Sequence, residues 1–490
     1  MKLYLKGHDY KFAVEQTMLT LFPGERPVYP DAPPEPGEAA AALALSLGKK
    51  WATASASVSW RGETCRRMCR IPLDTGEGPE ARERALRHGV KRAFYRAAVE
   101  LLGQEPPWGA LTGVRPVKLP TRAMEAGATA KEAEAMLRDV YRVSPLRRRL
   151  AMDCAGAALA AKKALGPEHI SLYVGIPFCP TRCAYCSFVS ADVGRTLSLV
   201  EPYLEALFAE IDAAGAALRR AGRMVRTVYV GGGTPTTLTA AQLDVLMARL
   251  GSAFDLSQCV EFTVEAGRPD TITAEKLMAI RARGGDRVSV NPQSMEARVL
   301  RAMGRAHSPE DTLAACALVR RAGFPVVNMD LIAGLPQDTE RTFRASLDTV
   351  LALAPENITV HTLALKRGAK LMEARDTLPD GAAVAEMLDY AWETLGQAGY
   401  VPYYLYRQKF MSGSFENVGW CLPGTESIYN ICMMEELHSV LSLGAGGMTK
   451  LVWADGRQIV RRANPKYPQE YIRMIAHIIE EKERIVWSIN

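Results

Sequence analysis

The chain has 490 residues, 48% of them hydrophobic and 23% charged, with a formal net charge of +6; this length exceeds one ordinary core and predicts two or three domains. The mild basic excess suits an acidic small substrate and falls far short of a nucleic-acid-binding composition, so no nucleic-acid partner is expected. No run of about 18 apolar residues and no signal-like core of about 7–15 occurs, so the expectation is a cytoplasmic protein with no membrane span. There, ten cysteines point to metal binding or catalysis rather than to disulfides.

In chain order, residues 1–165 read as an α+β domain of unknown role. Lys2–Lys6, Trp51–Trp60 and Glu63–Leu73 are expected strands, and Arg82–Leu102 is an expected helix with Ala85, Val90, Phe94, Ala98 and Leu101 on one face. The Pro/Glu/Ala stretch 30–39 reads as an exposed loop. From 166 to 365 short β-rich runs alternate with amphipathic helices. The runs are Ile170–Ile176, Thr227–Val230, Glu261–Glu265, Arg287–Asn291, Val326–Ile332 and Ile358–Leu363. Alternation at this spacing predicts right-handed βαβ units and an open, partial (β/α)6 TIM-type barrel, with chemistry at the C-terminal strand ends. Residues 366–490 read as a third, mixed domain with a helix at Gly381–Leu395, a Tyr-rich stretch Tyr400–Arg407 and a glycine turn Gly444–Gly447.

The first barrel strand runs into Pro177-Phe178-Cys179-Pro180-Thr181-Arg182-Cys183-Ala184-Tyr185-Cys186. Three thiolates on one short loop can wrap a [4Fe–4S] cubane; four ligands normally fill such a site, so three leave one iron open for catalysis. A zinc site completed by a distant His or Cys is the alternative. The second strand ends in Gly231-Gly232-Gly233-Thr234-Pro235, where backbone can approach a ligand closely. One βα unit after the cysteine loop, this run decides for the cluster.

These motifs resemble the radical S-adenosylmethionine (SAM) superfamily. The runs Tyr173–Cys179, Gly231–Pro235, Asp330–Pro336 and Tyr403–Lys409, with Glu416–Trp420, are similar to the oxygen-independent coproporphyrinogen III oxidase (HemN-like) branch, and most of all to its HemZ subgroup. The resemblance spans roughly residues 110–450. It implies that Cys179, Cys183 and Cys186 ligate a [4Fe–4S] cluster and that Tyr173 and Tyr185 flank SAM. It implies further that Gly232, Gly233 and Thr234 hold the methionine end, with Glu265 near the ribose. Gln293, Arg305 and Asp330 would supply the remaining polar contacts, and Ala364 would lie against the adenine. The implied fold is a partial (β/α)6 radical SAM barrel with a C-terminal domain covering the substrate.

The implied reaction is conversion of coproporphyrinogen III to protoporphyrinogen IX in haem biosynthesis. A 5′-deoxyadenosyl radical takes hydrogen from propionate side chains, and an external donor such as flavodoxin or ferredoxin supplies electrons. Lys366, Arg367, Arg407 and Lys409 are candidates for meeting substrate carboxylates, and no catalytic side chain is assigned. Two positions depart from the branch. Gly175 stands where the characterised oxidases have His, and Phe188 replaces their extra cysteine. Two rival readings therefore remain, a haem chaperone and a radical methyltransferase acting on haem. Against the chaperone, its haem-binding His-Asn pair would fall at Glu416-Asn417, and a carboxylate is a poor haem ligand.

Overall fold

The structure, a computed structural model, describes all residues except 36, 74–77, 185, 187–190, 365–377, 409–414, 454–457 and 488–490. Two compact units are present: Met1–Val114 with Ala126–Arg149, and Arg115–Glu125 with Leu150–Asn490. Among the described residues no helix is long and apolar enough to cross a membrane.

The first unit is a four-stranded sheet, β1 (Lys2–Lys6), β2 (Ala40–Leu47), β3 (Trp51–Trp60) and β4 (Glu63–Pro72), in that order. β1 is parallel to β2, and the other pairs are antiparallel. Along β3 the alternation Ala52, Ala54, Ala56, Val58 is buried, which is the period-2 pattern of a half-covered strand. Helix Pro79–Leu102 supplies Val90, Ala93, Phe94, Ala97 and Ala98 to the same core. The sequence reading left β2 unassigned. Its Ala-rich run has weak intrinsic strand preference, and pairing on both sides determines it instead.

The second unit is built on one eleven-stranded sheet. Its strands begin with β5 (His169–Ile176); a two-residue pair, β6 (Phe178–Cys179) and β7 (Ala191–Asp192), lies apart from it. β8 (Met224–Gly232), β9 (Glu261–Glu265), β10 (Arg287–Ser289), β11 (Val326–Ala333) and β12 (Asn357–Thr362) follow. β5, β8, β9, β10, β11 and β12 lie side by side in chain order, all parallel, which is the expected (β/α)6 arrangement. Thr239, Thr273, Ser308 and Thr339 cap the intervening helices by accepting from the backbone three residues on.

Five further strands extend this sheet: β13 (Val401–Tyr406), β14 (Asn417–Cys421), β15 (Val440–Leu443), β16 (Met448–Val452) and β17 (Ile459–Ala463). β14 runs antiparallel to β12 and carries β13 outside it. On the opposite edge β15 pairs in parallel with β5, and β16 and β17 follow antiparallel. These edges place residues of the third region beside the strand ends of the barrel.

A buried carboxylate ties the β15 edge to the cysteine-loop strand. Glu210, on helix Val200–Arg220, is 0% exposed and accepts from Gly444 N at 2.7 Å and Asn464 Nδ2 at 3.0 Å. Tyr471 Oη also donates to it, and Lys482 Nζ lies 3.6 Å away. Tyr203, two helical turns earlier, accepts from Ala445 N and donates to the Gly175 carbonyl. A Cβ at residue 175 would sit 2.8 Å from the Ala445 carbonyl oxygen. This packing gives Gly175 a physical reason. Replacing Glu210 by Ala leaves Lys482 buried without its counter-charge and should cost about 3–5 kcal/mol, read as a lowered denaturant midpoint at unchanged slope; a loss below about 1 kcal/mol would show that the network does not support the fold.

Candidate active site at the barrel strand ends

The cysteine loop is fixed by backbone contact with the glycine run. Gly233 N donates to the Ile176 carbonyl and Thr234 N to that of Phe178, both at 2.7 Å. A Cβ on Gly233 would lie 2.5 Å from the Phe178 oxygen, so only glycine allows this approach. Phe178 is fully buried, edge-on to Tyr203 at 5.4 Å. The Cys179 sulfur lies 3.4 Å from Thr234 Oγ1. Further along, Ala184 N donates to the Met303 carbonyl, and Cys186 N to that of Cys183 at 3.1 Å.

Cys179, Cys183 and Cys186 line one cavity of about 430 Å³ together with Gly232, Gly233, Thr234, Glu265, Gln293, Arg305, Asp330 and Ala364. Tyr173 is beside the lining rather than on it; its ring stacks near that of Tyr229, with centroids 6.3 Å apart. Tyr185, Phe188, Lys366, Arg367 and Lys409 lie outside the described residues. Arg407 is buried, is not part of the cavity lining, and burial pushes its guanidinium down to about 10.

Two carboxyl groups on neighbouring parts of the sheet are tuned in opposite directions. Burial pushes Glu265 up to about 7, with help from the Asp330 charge, against hydrogen bonds from Tyr229 Oη at 2.5 Å and Gly232 N at 3.3 Å. Burial also raises Asp330, but His361, Asn328 and Thr359 outweigh it and hold that carboxyl below its ordinary range. His361 Nε2 is 3.6 Å from Asp330, and its Nδ1 is 3.3 Å from Asn417 Oδ1. Gln293 has φ +67°, a left-handed backbone for a non-glycine residue, held by Gln293 N to Asp330 O and Ile332 N to Gln293 O. Such strain is retained where surrounding structure fixes it, commonly at functional sites.

Sequence reasoning missed Arg268, Tyr229, Ser289, Asn291, Asn328, Thr359, Tyr404, Tyr406 and Asn417, all of which line the cavity. Several had a signal. Side chains two residues apart on a strand share a face, so Asn328 follows from Asp330. His361 also lines the cavity.

The Ser289 hydroxyl and the Asn291 side-chain oxygen are buried at the cavity wall with no partner among the described residues, and buried polar atoms of this kind call for a ligand. Among the described residues no three His, Cys, Asp or Glu side chains converge as one ion would require. A cubane asks for something different, one thiolate on each of three irons. The thiolates, the orphaned acceptors and the close glycine backbone fit such a cluster together with SAM.

Comparison with known proteins agrees. The Radical SAM superfamily pattern matches residues 173–350. The oxygen-independent coproporphyrinogen-III oxidase-like protein HemZ of Bacillus subtilis is 37% identical over 93% of this chain and 91% of its own length. The heme chaperone HemW of Escherichia coli is 26% identical over 62% of this chain and 76% of its own. Among solved structures, coproporphyrinogen III oxidase (HemN) from Escherichia coli, a radical SAM enzyme, superposes with a TM-score of 0.52 at 26% identity, over 66% of this chain and 72% of that one. The chain therefore belongs to the radical SAM superfamily, in the coproporphyrinogen III oxidase-like branch with HemZ, and its cofactors are a [4Fe–4S] cluster and S-adenosyl-L-methionine.

Proposed function

We propose that the protein converts coproporphyrinogen III to protoporphyrinogen IX without oxygen, in haem biosynthesis. The observation that carries this reading is the single cavity in which the three cysteines, the glycine run and Glu265 meet Tyr404, Tyr406 and Asn417 from the antiparallel strands β13 and β14. The proposed cofactor-holding residues and the aromatic and amide side chains of the C-terminal strands share one lining, as hydrogen abstraction from a substrate beside the cofactor demands.

In this reading Cys179, Cys183 and Cys186 hold the cluster. The amides of Gly233 and Thr234 are spent on the cysteine loop, so any contact of the glycine run with the SAM methionine falls to its carbonyls, which accept from an ammonium. Glu265 accepts from the ribose hydroxyls. Arg305, aimed by the Gly267 and Asn291 carbonyls at 3.3 and 2.9 Å, faces the carboxylate. Gln293 and Asp330 complete the polar wall, Ala364 lies against the adenine, and Tyr173 backs the wall through Tyr229. When bound, the cluster and SAM supply a carbon-centred radical that abstracts hydrogen. Each –CH2–CH2–COO⁻ arm gives up one hydrogen atom to the radical, CO2, and one electron to an external one-electron acceptor to leave –CH=CH2, and the change occurs twice. An external flavodoxin- or ferredoxin-type donor starts each turnover with one electron.

The haem-chaperone reading has less support. The position of its His-Asn pair is occupied by buried Glu416 and by Asn417, and Asn417 already accepts from Thr362 N at 3.1 Å.

Anaerobic incubation of the reconstituted protein with SAM, reductant and coproporphyrinogen III should yield the two-vinyl product by mass spectrometry, and Cys183→Ala should abolish it. Stable haem binding without turnover, or a methylated linear tetrapyrrole from haem, would overturn the proposal in favour of the chaperone or the methyltransferase.

Glu265 gives a second test. A protonated carboxyl loses one acceptor position, so SAM affinity should rise as pH increases through about 7. Glu265→Gln should weaken binding and flatten that dependence in equilibrium titrations; an unchanged slope would remove Glu265 from the ribose. The sign for folding is opposite. The folded chain keeps a proton the unfolded chain releases above 4.5, so the Glu265 contribution to stability falls as pH rises from there to about 7.

A further inference from the structure

Arg268 has no role in the assignments above, yet it lines the cavity and is only 3% exposed. A buried guanidinium needs its charge balanced and its donors placed. Its Nε and Nη2 form a two-pronged pair with Asp270 Oδ1 and Oδ2 at 3.0 and 3.1 Å. The remaining nitrogen, Nη1, donates to Thr181 Oγ1 at 3.1 Å and lies 3.8 Å from the Cys183 sulfur. Asp270 can reach back because Pro269–Thr271 is a single 3₁₀ turn, closed on the Arg268 carbonyl by Thr271 N at 2.9 Å and Thr271 Oγ1 at 2.7 Å. Thr271 Oγ1 is in turn 2.6 Å from Thr236 Oγ1, just past the glycine run. The guanidinium is thus fixed from both sides, with its carboxylate behind it and a thiol in front. Burial, then Arg305 and Arg268, push nearby His307 down to about 4, so that ring adds no charge here.

Hydrogen bonds to the sulfurs and the net charge around an iron–sulfur cluster set its reduction potential, and groups behind the ligands orient them and tune the metal. Reduction adds one negative charge to the cluster, and a cationic donor on a ligating sulfur favours the state that carries it. We propose that Arg268 is a positioning residue for the cluster: held by Asp270, it donates to the Cys183 thiolate and makes the cluster easier for the external one-electron donor to reduce. Asp270 limits the effect by offsetting part of the guanidinium charge. The inference rests on the assignment of the cluster to Cys179, Cys183 and Cys186, and not on which tetrapyrrole is turned over.

Two substitutions should act with opposite sign, which a merely structural role would not produce. The full chain is reconstituted anaerobically with iron and sulfide and titrated with dithionite against redox mediators, the reduced cluster being read by electron paramagnetic resonance. At the wild-type midpoint, Arg268→Gln should lower the ratio of reduced to oxidised cluster about tenfold, which is about 59 mV for a one-electron couple. Arg268→Lys should lose less, keeping the charge without the fork. Asp270→Asn should raise the ratio. If Arg268→Gln takes up no cluster, the other two variants decide. Wild-type potentials in all loaded variants, or shifts of the same sign for residues 268 and 270, overturn the inference alone. A wild-type chain that takes up no cluster, or a Cys183→Ala chain with an undiminished cluster spectrum, overturns the site assignment and this inference with it.

Discussion

The cofactor end of this protein depends on how closely two stretches of main chain approach each other. Ile176–Phe178, leaving β5, lies against Gly233 and Thr234, leaving β8, through two hydrogen bonds of 2.7 Å and with no room for a side chain between them. Parallel neighbours in a βαβ unit end at the same level of the sheet, so the loop after the first strand and the loop after the second meet there. The contact sets the height at which Cys179 begins the loop. It also uses the glycine-run amides, leaving carbonyls as the remaining backbone polar groups of that run. The Tyr203–Glu210 network braces the same strand from behind. The start of the cysteine loop, the glycine run and the brace are joined by these hydrogen bonds, as a site needing defined geometry requires.

The sequence made this part legible because its signals are local. Six short apolar runs alternate with capped, amphipathic helices, and period alone is enough to order them. Three cysteines in eight residues and three consecutive glycines are read without knowing any long-range contact. What stayed hidden is non-local. β15 is four residues long and acquires its strand identity from Ser171–Val174, far earlier in the chain. β2 is an alanine-rich run that pairing, not propensity, makes a strand. An Arg-Pro-Asp tripeptide carries no local sign of a neighbouring cysteine. Its meaning appears only when the turn folds Asp270 onto the guanidinium and Cys183 lies opposite. Gly175 was legible as a departure from the branch but not as a packing requirement, because the carbonyl it avoids belongs to Ala445.

Two half-buried carboxyls in one cavity, pushed apart by their surroundings, have different capacities. Asp330 stays an acceptor because His361, Asn328 and Thr359 support its charge, whereas Glu265 has donors on one side and that charge on the other. His361 is itself positioned by the C-terminal region. Thr362 N donates to Asn417 Oδ1, and Asn417 Nδ2 donates to the Tyr406 carbonyl, which fixes which end of the amide faces the ring. The Asn417 oxygen therefore faces His361 Nδ1, which must be the donor, so Nε2 presents a proton to Asp330 only in the doubly protonated ring. β14 thus does more than extend the sheet edge. Through Asn417 it orients the His361 ring, whose doubly protonated form supports the charge on Asp330, and the Asp330 charge contributes to the raised value of Glu265. Displacing β14 would therefore change the electrostatics at the proposed cofactor wall before any side chain there moved.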